Sequence, residues 1–535
     1  MQSLTKIDGI LHDVSASKII IASATFTLVI KYVADEIQYF LDSDENGLIT
    51  KLKKLGFRTL KRLPYFGTRI QKEISEEIES FRKTHFTLKN GESYLTQLPN
   101  DGLSDSEIMS ILHSYSKLDE VDYNKISGAI YNFDTEIIDL NSKVFKAFGY
   151  TNPLHPDVHP DVRRMEAEIV QWALHLFHGE ENSAGVFTSG GTESIILAVL
   201  AARNRALEKG IRNPEILAPN SAHSAFAKAA HYLRIKYVRV PTNPHTQTLT
   251  SKDMRRYITK HTCLLVASFP SYPHGAIDPV EDIAKLGVYY DIPVHVDACL
   301  GGFLVCFMRD AGYQLPPFDF TVPGVMSISC DTHKYAFTPK GSSFLLTRTE
   351  KYRGYHIFTQ PDWQGGLYST PTIPGSRQGS CVASCWATMR HFGYSGYIET
   401  TRKIVNTTRK ISNFIKKIPG LELMGNPEIC VVAWNSKHFS IYRQLDLLAE
   451  RRWILAPLQN PTGIHIAVTM QHTDPKWCDS FLKDVEETAA ECMKLPSTYS
   501  EGSGRVYGTM QSLPDMSIVE EFCVGYYNAY YDTKY

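Results

Sequence analysis

The sequence predicts an α/β protein: a mainly parallel sheet with helices on both faces, followed by a smaller C-terminal α+β domain and preceded by a helical extension. Three observations predict it. Short apolar runs of strand length recur between Ala184 and Leu346. Helical patterns such as Val280 to Tyr289 separate them, which favours a parallel sheet covered by helices. From about Tyr394 this alternation ends, and an amphipathic helix with short strand candidates takes over.

At the N-terminus, Ile19 to Ile30 is uncharged and mostly apolar, bounded by Lys18 and Lys31. A membrane span wants ~20 predominantly apolar residues, so snorkelling lysines would have to extend this core to a helix over residues 15–34. A secretory signal fits less well, because no short cationic start leads directly into the apolar run. Lys51, Lys53, Lys54, Arg58, Lys61 and Arg62 form a basic stretch suited to an anionic membrane face. Asp42-Ser43-Asp44-Glu45-Asn46-Gly47 copies the start of a calcium loop, but Lys53 stands where calcium needs a carboxylate, so calcium is rejected. Residues 1–65 are therefore set apart as an N-terminal segment. Residues 66–124 form the helical extension, with amphipathic spacing in Ile70, Ile74, Ile78 and Phe81.

The large domain is assigned to residues 125–393. Its strands are expected at Ala184–Thr188, Ile216–Ala218, Lys236–Val240, Cys263–Ser268, Pro293–Asp297, Val325–Cys330 and Ser342–Leu346. The small domain takes residues 394–495. There, Ile404–Ile418 reads as an amphipathic helix ended by Pro419-Gly420, and strands at Ile429–Trp434 and Gly463–Val468 flank the helical run Ser440–Ala449. The tail, 496–535, is rich in Ser, Gly and Tyr and suited to wrapping a neighbouring surface.

Composition narrows the function. With 43% hydrophobic and 21% charged residues, the 535-residue chain has the make-up of an ordinary folded enzyme. A formal net charge of -1 gives no global field for nucleic acid, and the basic residues are not interleaved with stacking aromatics. Ten scattered cysteines lack metal-ligand spacing and read as reduced, mostly buried thiols. His155 and His159 are four apart, but Pro156 and Pro160 oppose a regular helix and no third ligand is evident, so no metal is expected.

The chemistry lies in His295-Val296-Asp297-Ala298 and Ser329-Cys330-Asp331-Thr332-His333-Lys334. One apolar run delivers an aspartate; a second is followed by a lysine about 37 positions later. That order suits pyridoxal phosphate, whose aldehyde takes a lysine amine as a Schiff base and whose pyridinium nitrogen pairs with an aspartate. Upstream, Ser189-Gly190-Gly191-Thr192-Glu193-Ser194 leaves a strand and enters the apolar run Ile195 to Ala202. Paired glycines let backbone approach a ligand, Thr192 can cap the new helix, and a helix start suits a phosphate. Alone this is an ordinary strand-to-helix turn; in order with Asp297 and Lys334 it reads as a cofactor cradle. His223 follows the run Ile216 to Ala218, at a strand end where α/β sheets bind ligands, and is the candidate to stack on the pyridine ring.

These stretches, with Asn220 to Phe226 and His333-Lys334-Tyr335, resemble the group II pyridoxal-phosphate-dependent decarboxylase family. Asn152-Pro153-Leu154-His155-Pro156-Asp157, Phe269 to Gly275, and Gly365 to Tyr368 through Pro374 to Arg377 resemble its lyases of phosphorylated long-chain bases in particular. The resemblance runs from about Phe66 to the tail. It implies a fold-type I pyridoxal-phosphate-dependent transferase architecture and a homodimer with shared active sites. The implied reaction is retro-aldol cleavage of the C2–C3 bond to a fatty aldehyde and phosphoethanolamine.

It further implies residue roles. Tyr131, His155 and Lys340 would bind the substrate phosphate. Tyr272 would lie near the reactive bond and transfer a proton, with the substrate phosphate as rival base. Gly191, Thr192, His333 and Ser380 would surround the cofactor phosphate, Ser380 reaching in from the second subunit, while Arg377 would be structural or an interface contact. An endoplasmic-reticulum membrane location with a cytosolic catalytic domain is implied as well. Two alternatives stay open: an amino-acid decarboxylase sharing His223, Asp297 and Lys334, and a non-catalytic, membrane-anchored interaction protein that kept the fold. Lys340 and Asn152 to Asp157 weigh against the first, and the intact His223, Asp297 and Lys334 against the second.

Overall fold

Seven of the apolar runs become one sheet. In the computed structural model, β1 (Ala184–Thr188), β2 (Glu215–Pro219), β3 (Lys236–Val240), β4 (Thr262–Ser268), β5 (Val294–Asp297), β6 (Val325–Cys330) and β7 (Ser343–Thr347) lie in the order β1-β7-β6-β5-β4-β2-β3. The neighbours from β3 to β6 pair in parallel. β7 runs antiparallel to both β6 and β1, so β1 points the same way as the other five. The structure describes residues 63–86, 93–115, 122–497 and 517–533, with Thr59 and Leu88 besides. The possible span over 15–34, the calcium-like loop and the basic stretch other than Thr59 lie outside these residues.

The sheet is buried on both faces because its strands are apolar on both. Leu217, Leu265, Val294 and Val296 join one core layer, while their neighbours Ile216, Ala218, Leu264 and Val266 join another. Alternate side chains on a strand point to opposite faces. The second layer is closed by Ile195 and Val199 of the helix Gly191–Glu208 and by Phe226 of the helix Ala225–Leu233. The α/β expectation holds, with one antiparallel strand inserted between β1 and β6.

After the hairpin β8 (Phe358–Gln360) and β9 (Tyr368–Thr370), the chain builds a second sheet. It contains β10 (Glu422–Leu423), β11 (Val431–Asn435), β12 (Ala456–Leu458) and β13 (Gly463–Ala467), antiparallel in the order β10-β11-β13-β12. Trp434 and Trp453 meet Phe481 at 6.4 and 4.9 Å between ring centroids, tying the sheet to the helix Pro475–Lys494. The described residues between 103 and 497 form one compact unit holding the two larger sheets.

Two local expectations change. The helix placed at Ile404–Ile418 starts much earlier, in a helical run Gly379–Ile415 that breaks at Gly393, where φ is 59° and ψ -179°. Only glycine takes that conformation without strain. Thr192 does not cap its helix: the helix begins at Gly191, and Gly190 stands at the cap with φ 151° and no side chain to offer. In the tail, Ser517–Tyr530 is a helix. Within its own compact unit, formed with the described residues up to Gly102, it packs on the helix Pro64–His85 through Tyr526 against Phe81, 5.2 Å between centroids. Gly525 allows the approach, since a Cβ there would collide with Ile78. Among the described residues, no helix is long and apolar enough to cross a membrane.

Candidate active site

Parallel pairing brings the C-terminal ends of β1, β2, β4, β5 and β6 to one edge of the sheet. Loops leaving those ends carry Gly190 and Gly191, His223, Tyr272, Asp297 and Lys334. A cavity of about 320 Å³ opens there, lined by Gly190, Gly191, Thr192, His223, Asp331 and Lys334 among others. Residues separated by more than a hundred positions thus converge, as ligand sites in open α/β sheets do.

Lys334 is held by a neighbour that the sequence did not single out. Its Nζ lies 2.9 Å from Asp331 Oδ2, and His333 Nε2 is 3.6 Å from the same oxygen. Burial works against charge on Lys334, yet the Asp331 carboxylate outweighs it and holds the ammonium above the usual lysine range. Burial likewise opposes charge on Asp331, but Lys334 and His333 leave its carboxyl below the ordinary value. His333 is oriented by its Nδ1, 2.7 Å from the Ser342 carbonyl.

The glycine turn is shaped by Glu193. Its Oε2 accepts from the Ser189 N–H and hydroxyl at 2.7 and 2.6 Å, and its Oε1 accepts from Ile373 N–H at 2.8 Å. Gly191 has no room for a side chain: a Cβ would lie 2.6 Å from Asp331 Oδ1 and 2.8 Å from Cys299 Sγ. Cys299 also lines the cavity, and burial with two nearby carboxylates pushes its thiol well up, so it stays protonated. Its N–H donates to Asp297 Oδ1 at 3.1 Å.

These residues fit pyridoxal phosphate. Both hydrogen bonds made to Asp297, from Cys299 N–H and Ser329 Oγ, fall on Oδ1, leaving Oδ2 free of them for a ring nitrogen. The positive φ of Gly190 and the crowded Cα of Gly191 make a close backbone cradle at a helix start. Ser380 Oγ is buried with no hydrogen-bond partner among the described residues, as a hydroxyl awaiting an anion would be.

His223 receives the Ala225 N–H on Nδ1 at 3.1 Å, so its proton sits on Nε2. Its ring meets Tyr272 edge to face at 6.4 Å, and Tyr272 in turn meets His465 at 4.8 Å. Tyr272 is 45% exposed, enough for its ring to be reached by a substrate.

A second cavity, about 520 Å³, adjoins the first through their shared His333 and is lined by Tyr131, Lys340, Ser380 and the apolar Ile138 and Phe145. Lys340 Nζ stands 5.1 Å above the Tyr131 ring. Burial pushes the Tyr131 phenol up, so it remains a donor, and burial beside Lys334 lowers Lys340. Tyr131 is positioned by the segment that follows β13: its carbonyl accepts from Met470 N–H at 3.1 Å, and its ring abuts Tyr335, whose hydroxyl donates to the Val468 carbonyl at 2.7 Å.

Not every predicted residue joins these cavities within one chain. His155 is exposed and lines neither, and neither do Asp297, buried at the end of β5, and Tyr272. Ser380 lines the second cavity, apart from Gly191 and Thr192 in the first. Arg377 is structural: it forks onto Glu166 at 2.5 and 3.0 Å and donates to the Phe187 carbonyl at 3.3 Å. Asn152 Oδ1 accepts from the Arg377 N–H at 3.1 Å, so two of the discriminating sequence stretches meet. No cluster suited to a metal ion occurs among the described residues. Asp331, Glu193 and Cys299 were missed as site residues. Only Asp331 carried a signal, one helical turn's spacing before Lys334.

Comparison with known proteins gives three results. Residues 148–437 match the pyridoxal-dependent decarboxylase conserved domain. The chain is 42% identical to sphingosine-1-phosphate lyase 1 of Rattus norvegicus over 518 residues, covering 96% of this chain and 90% of that protein. It is 38% identical to the sphingosine-1-phosphate lyase of Saccharomyces cerevisiae, covering 89% of this chain and 82% of that one. Among solved structures, the sphingosine-1-phosphate lyase of Burkholderia pseudomallei aligns with TM-score 0.73 and 33% identity, over 78% of this chain and 96% of that chain. Glutamate decarboxylase of Lactobacillus brevis, at TM-score 0.66 and 20% identity over 77% of this chain and 96% of that one, shares the fold.

Proposed function

The chain belongs to the pyridoxal-dependent decarboxylase family and, within it, to the sphingosine-1-phosphate lyases; from that membership we propose residue roles for its reaction. It cleaves the C2–C3 bond of sphingosine 1-phosphate and related phosphorylated long-chain bases, yielding a fatty aldehyde and phosphoethanolamine in sphingolipid degradation. One observation carries the assignment of roles: the Lys334 cavity and the Lys340–Tyr131 cavity share His333, setting an amine-reactive centre beside an anion site.

Bound pyridoxal phosphate supplies an electron sink for the bond that breaks at the amine-bearing carbon. Lys334 would hold the cofactor covalently, Asp297 its ring nitrogen, and Gly191, Thr192, His333 and Ser380 its phosphate, with His223 against the ring. Lys340 supplies an ammonium and Tyr131 a protonated phenol to the substrate phosphate, strong partners for a dianion. Anchoring that end orients the C2–C3 bond. Tyr272, beside His223 and open to solvent, is the candidate to take the proton of the 3-hydroxyl once its phenol has given its own proton to solvent, and the substrate's own phosphate is the rival base.

A homodimer is part of this reading, and the separation of Ser380 from Gly191 and Thr192 supports it: a second copy would complete the cofactor phosphate site with Ser380 and bring His155 to the substrate phosphate. Sedimentation of the full chain, and mixing of Ser380→Ala with Lys334→Ala protein to regain activity in hybrid dimers, tests both. Association with the endoplasmic-reticulum membrane through residues 15–34, with the catalytic part facing the cytosol, is proposed on the lysine-bounded apolar run. Resistance of the full chain to carbonate extraction from membranes tests that.

The direct test incubates purified protein and pyridoxal phosphate with a long-chain sphingoid base 1-phosphate, following aldehyde and phosphoethanolamine by mass spectrometry. Equal release of both by wild type, and none by Lys334→Ala, is expected. A lysine-bound cofactor spectrum without cleavage would sink the substrate assignment.

A further inference from the structure

We propose that His295 and Ser329 form a directed hydrogen-bond relay that orients Asp297 for the ring nitrogen of the cofactor. The inference rests on the pyridoxal-phosphate reading above and adds to it two positioning residues. It begins with register. β5 and β6 pair in parallel with His295 opposite Ser327 and Asp297 opposite Ser329. Positions 295 and 297 share one face of β5, since side chains alternate. The pairing therefore stacks four polar side chains between two adjacent strands of the sheet.

All four are buried: His295, Ser327 and Ser329 are 0% exposed and Asp297 6%. Buried polar groups must satisfy one another. His295 Nδ1 lies 2.9 Å from Ser327 Oγ, and its Nε2 lies 3.1 Å from Ser329 Oγ. Ser329 Oγ donates to Asp297 Oδ1 at 3.4 Å.

Only one tautomer lets every bond form. If Ser329 gives its hydrogen to Asp297, its oxygen must accept from His295 Nε2–H. Nδ1 is then unprotonated and accepts from the Ser327 hydroxyl. The opposite tautomer would draw the Ser329 hydrogen to His295 and leave Asp297 without it. A neutral imidazole, one donor and one acceptor, is required. Burial enforces that state by pushing His295 down to about 4, against the pull of Asp297. Phe226 covers the imidazole edge to face at 5.8 Å.

The result is a row of aligned dipoles ending in an O–H aimed at Oδ1. Hydrogen bonds to a carboxylate favour its charged form. With Cys299 N–H on the same oxygen, the carboxylate cannot turn without breaking two bonds, and Oδ2 is the oxygen presented. His295 and Ser329 touch no reacting atom; they act through Asp297.

The test uses the full chain loaded with pyridoxal phosphate labelled with 15N in the ring. Ser329→Ala should move the ring 15N resonance toward the unprotonated value and weaken cofactor binding about tenfold, as expected for a hydrogen bond to a charged group. Ser329→Thr, which keeps the hydroxyl, should restore both. Ser327→Ala should move the resonance the same way by less. A folded Ser329→Ala protein with wild-type resonance and wild-type affinity overturns the relay. If Ser329→Ala does not fold, Ser327→Ala decides, because Ser327 makes no bond to Asp297: an unchanged resonance overturns the proposal. Wild-type protein that binds no cofactor would overturn the functional reading, and the relay with it.

Discussion

Lys334 Nζ and Asp331 Oδ2 stand 2.9 Å apart in the turn after β6, and this ion pair sets the resting charge of the site. Without the carboxylate the largest influence raising Lys334 is gone, and burial, larger still, pushes the lysine down. Asp331→Asn should therefore destabilise the cofactor-free protein at neutral pH, by up to about 5 kcal/mol for an unpaired buried charge. The sign with pH follows: an unfolded chain that binds more protons gains less at high pH. The variant should recover stability between pH 7 and 9 while wild type does not, as read by thermal melting of both apo forms. Parallel melting curves for the two proteins would count against the pair.

Gly191→Ala should weaken cofactor binding without unfolding the chain. The new methyl would meet Asp331 Oδ1 at 2.6 Å and Cys299 Sγ at 2.8 Å, and both must give way. Overpacking of this kind costs about 1–3 kcal/mol, equivalent to roughly ten- to hundredfold in affinity. Titration of apo protein with pyridoxal phosphate, followed by visible absorbance, reads it directly. Wild-type affinity would mean the cradle is looser than the packing implies.

Lys340→Ala should raise KM for the phosphorylated base while leaving the bound-cofactor spectrum intact. Lys340 lines the cavity with Tyr131, not the one with Gly191 and Thr192. A hydrogen bond to a charged group contributes about 1.5–3 kcal/mol, so a roughly ten- to hundredfold rise is expected. Tyr131→Phe should shift KM in the same direction by less. A fall in cofactor affinity with unchanged KM would move Lys340 to the other phosphate.

Acid should destabilise the fold before its solvent-exposed carboxylates titrate, against the opposite contribution of Asp278, whose carboxyl burial pushes up to about 7. His274, His295, His356, His465 and His472 are buried, and burial pushes each down to about 4. They are neutral in the folded chain but take protons in the unfolded one below about pH 6.5. Their contribution is thus complete above that pH and declines as pH falls toward 4, by up to ~1.4 kcal/mol per pH unit for each. Denaturant midpoints between pH 7.5 and 4.5 should fall steeply, and His356→Gln should shallow the slope. A flat profile would refute the shared desolvation.

Much of the architecture is legible in local pattern. β1, β3 and β6 fall on the residues that alternation and apolar run length indicate, and the other strands of the large sheet differ by a residue at one or both ends. Lys334, Asp297 and His223 could be picked out because each follows an apolar run, and run ends become strand ends. The helix Ser517–Tyr530 was illegible: its tyrosines and glycine look like loop composition, and it is stabilised by aromatic contact with Phe81 and Phe86. The early start of the helical run at Gly379 was hidden for a similar reason, since Gly379, Gly393 and Gly396 read locally as breakers.

By itself the sequence determined the α/β class, the cofactor chemistry and the order in which Gly191, His223, Asp297 and Lys334 arrive. These are properties of residues and their neighbours along the chain. The tertiary structure alone decided that Asp331 pairs with Lys334, that Ser327 and Ser329 bracket His295, and that His155 stays away from Lys340 within one chain. Those relationships depend on strand register and loop direction. Shifting a strand by one residue turns every side chain to the opposite face, so a polar partner across the sheet cannot be read from spacing along it.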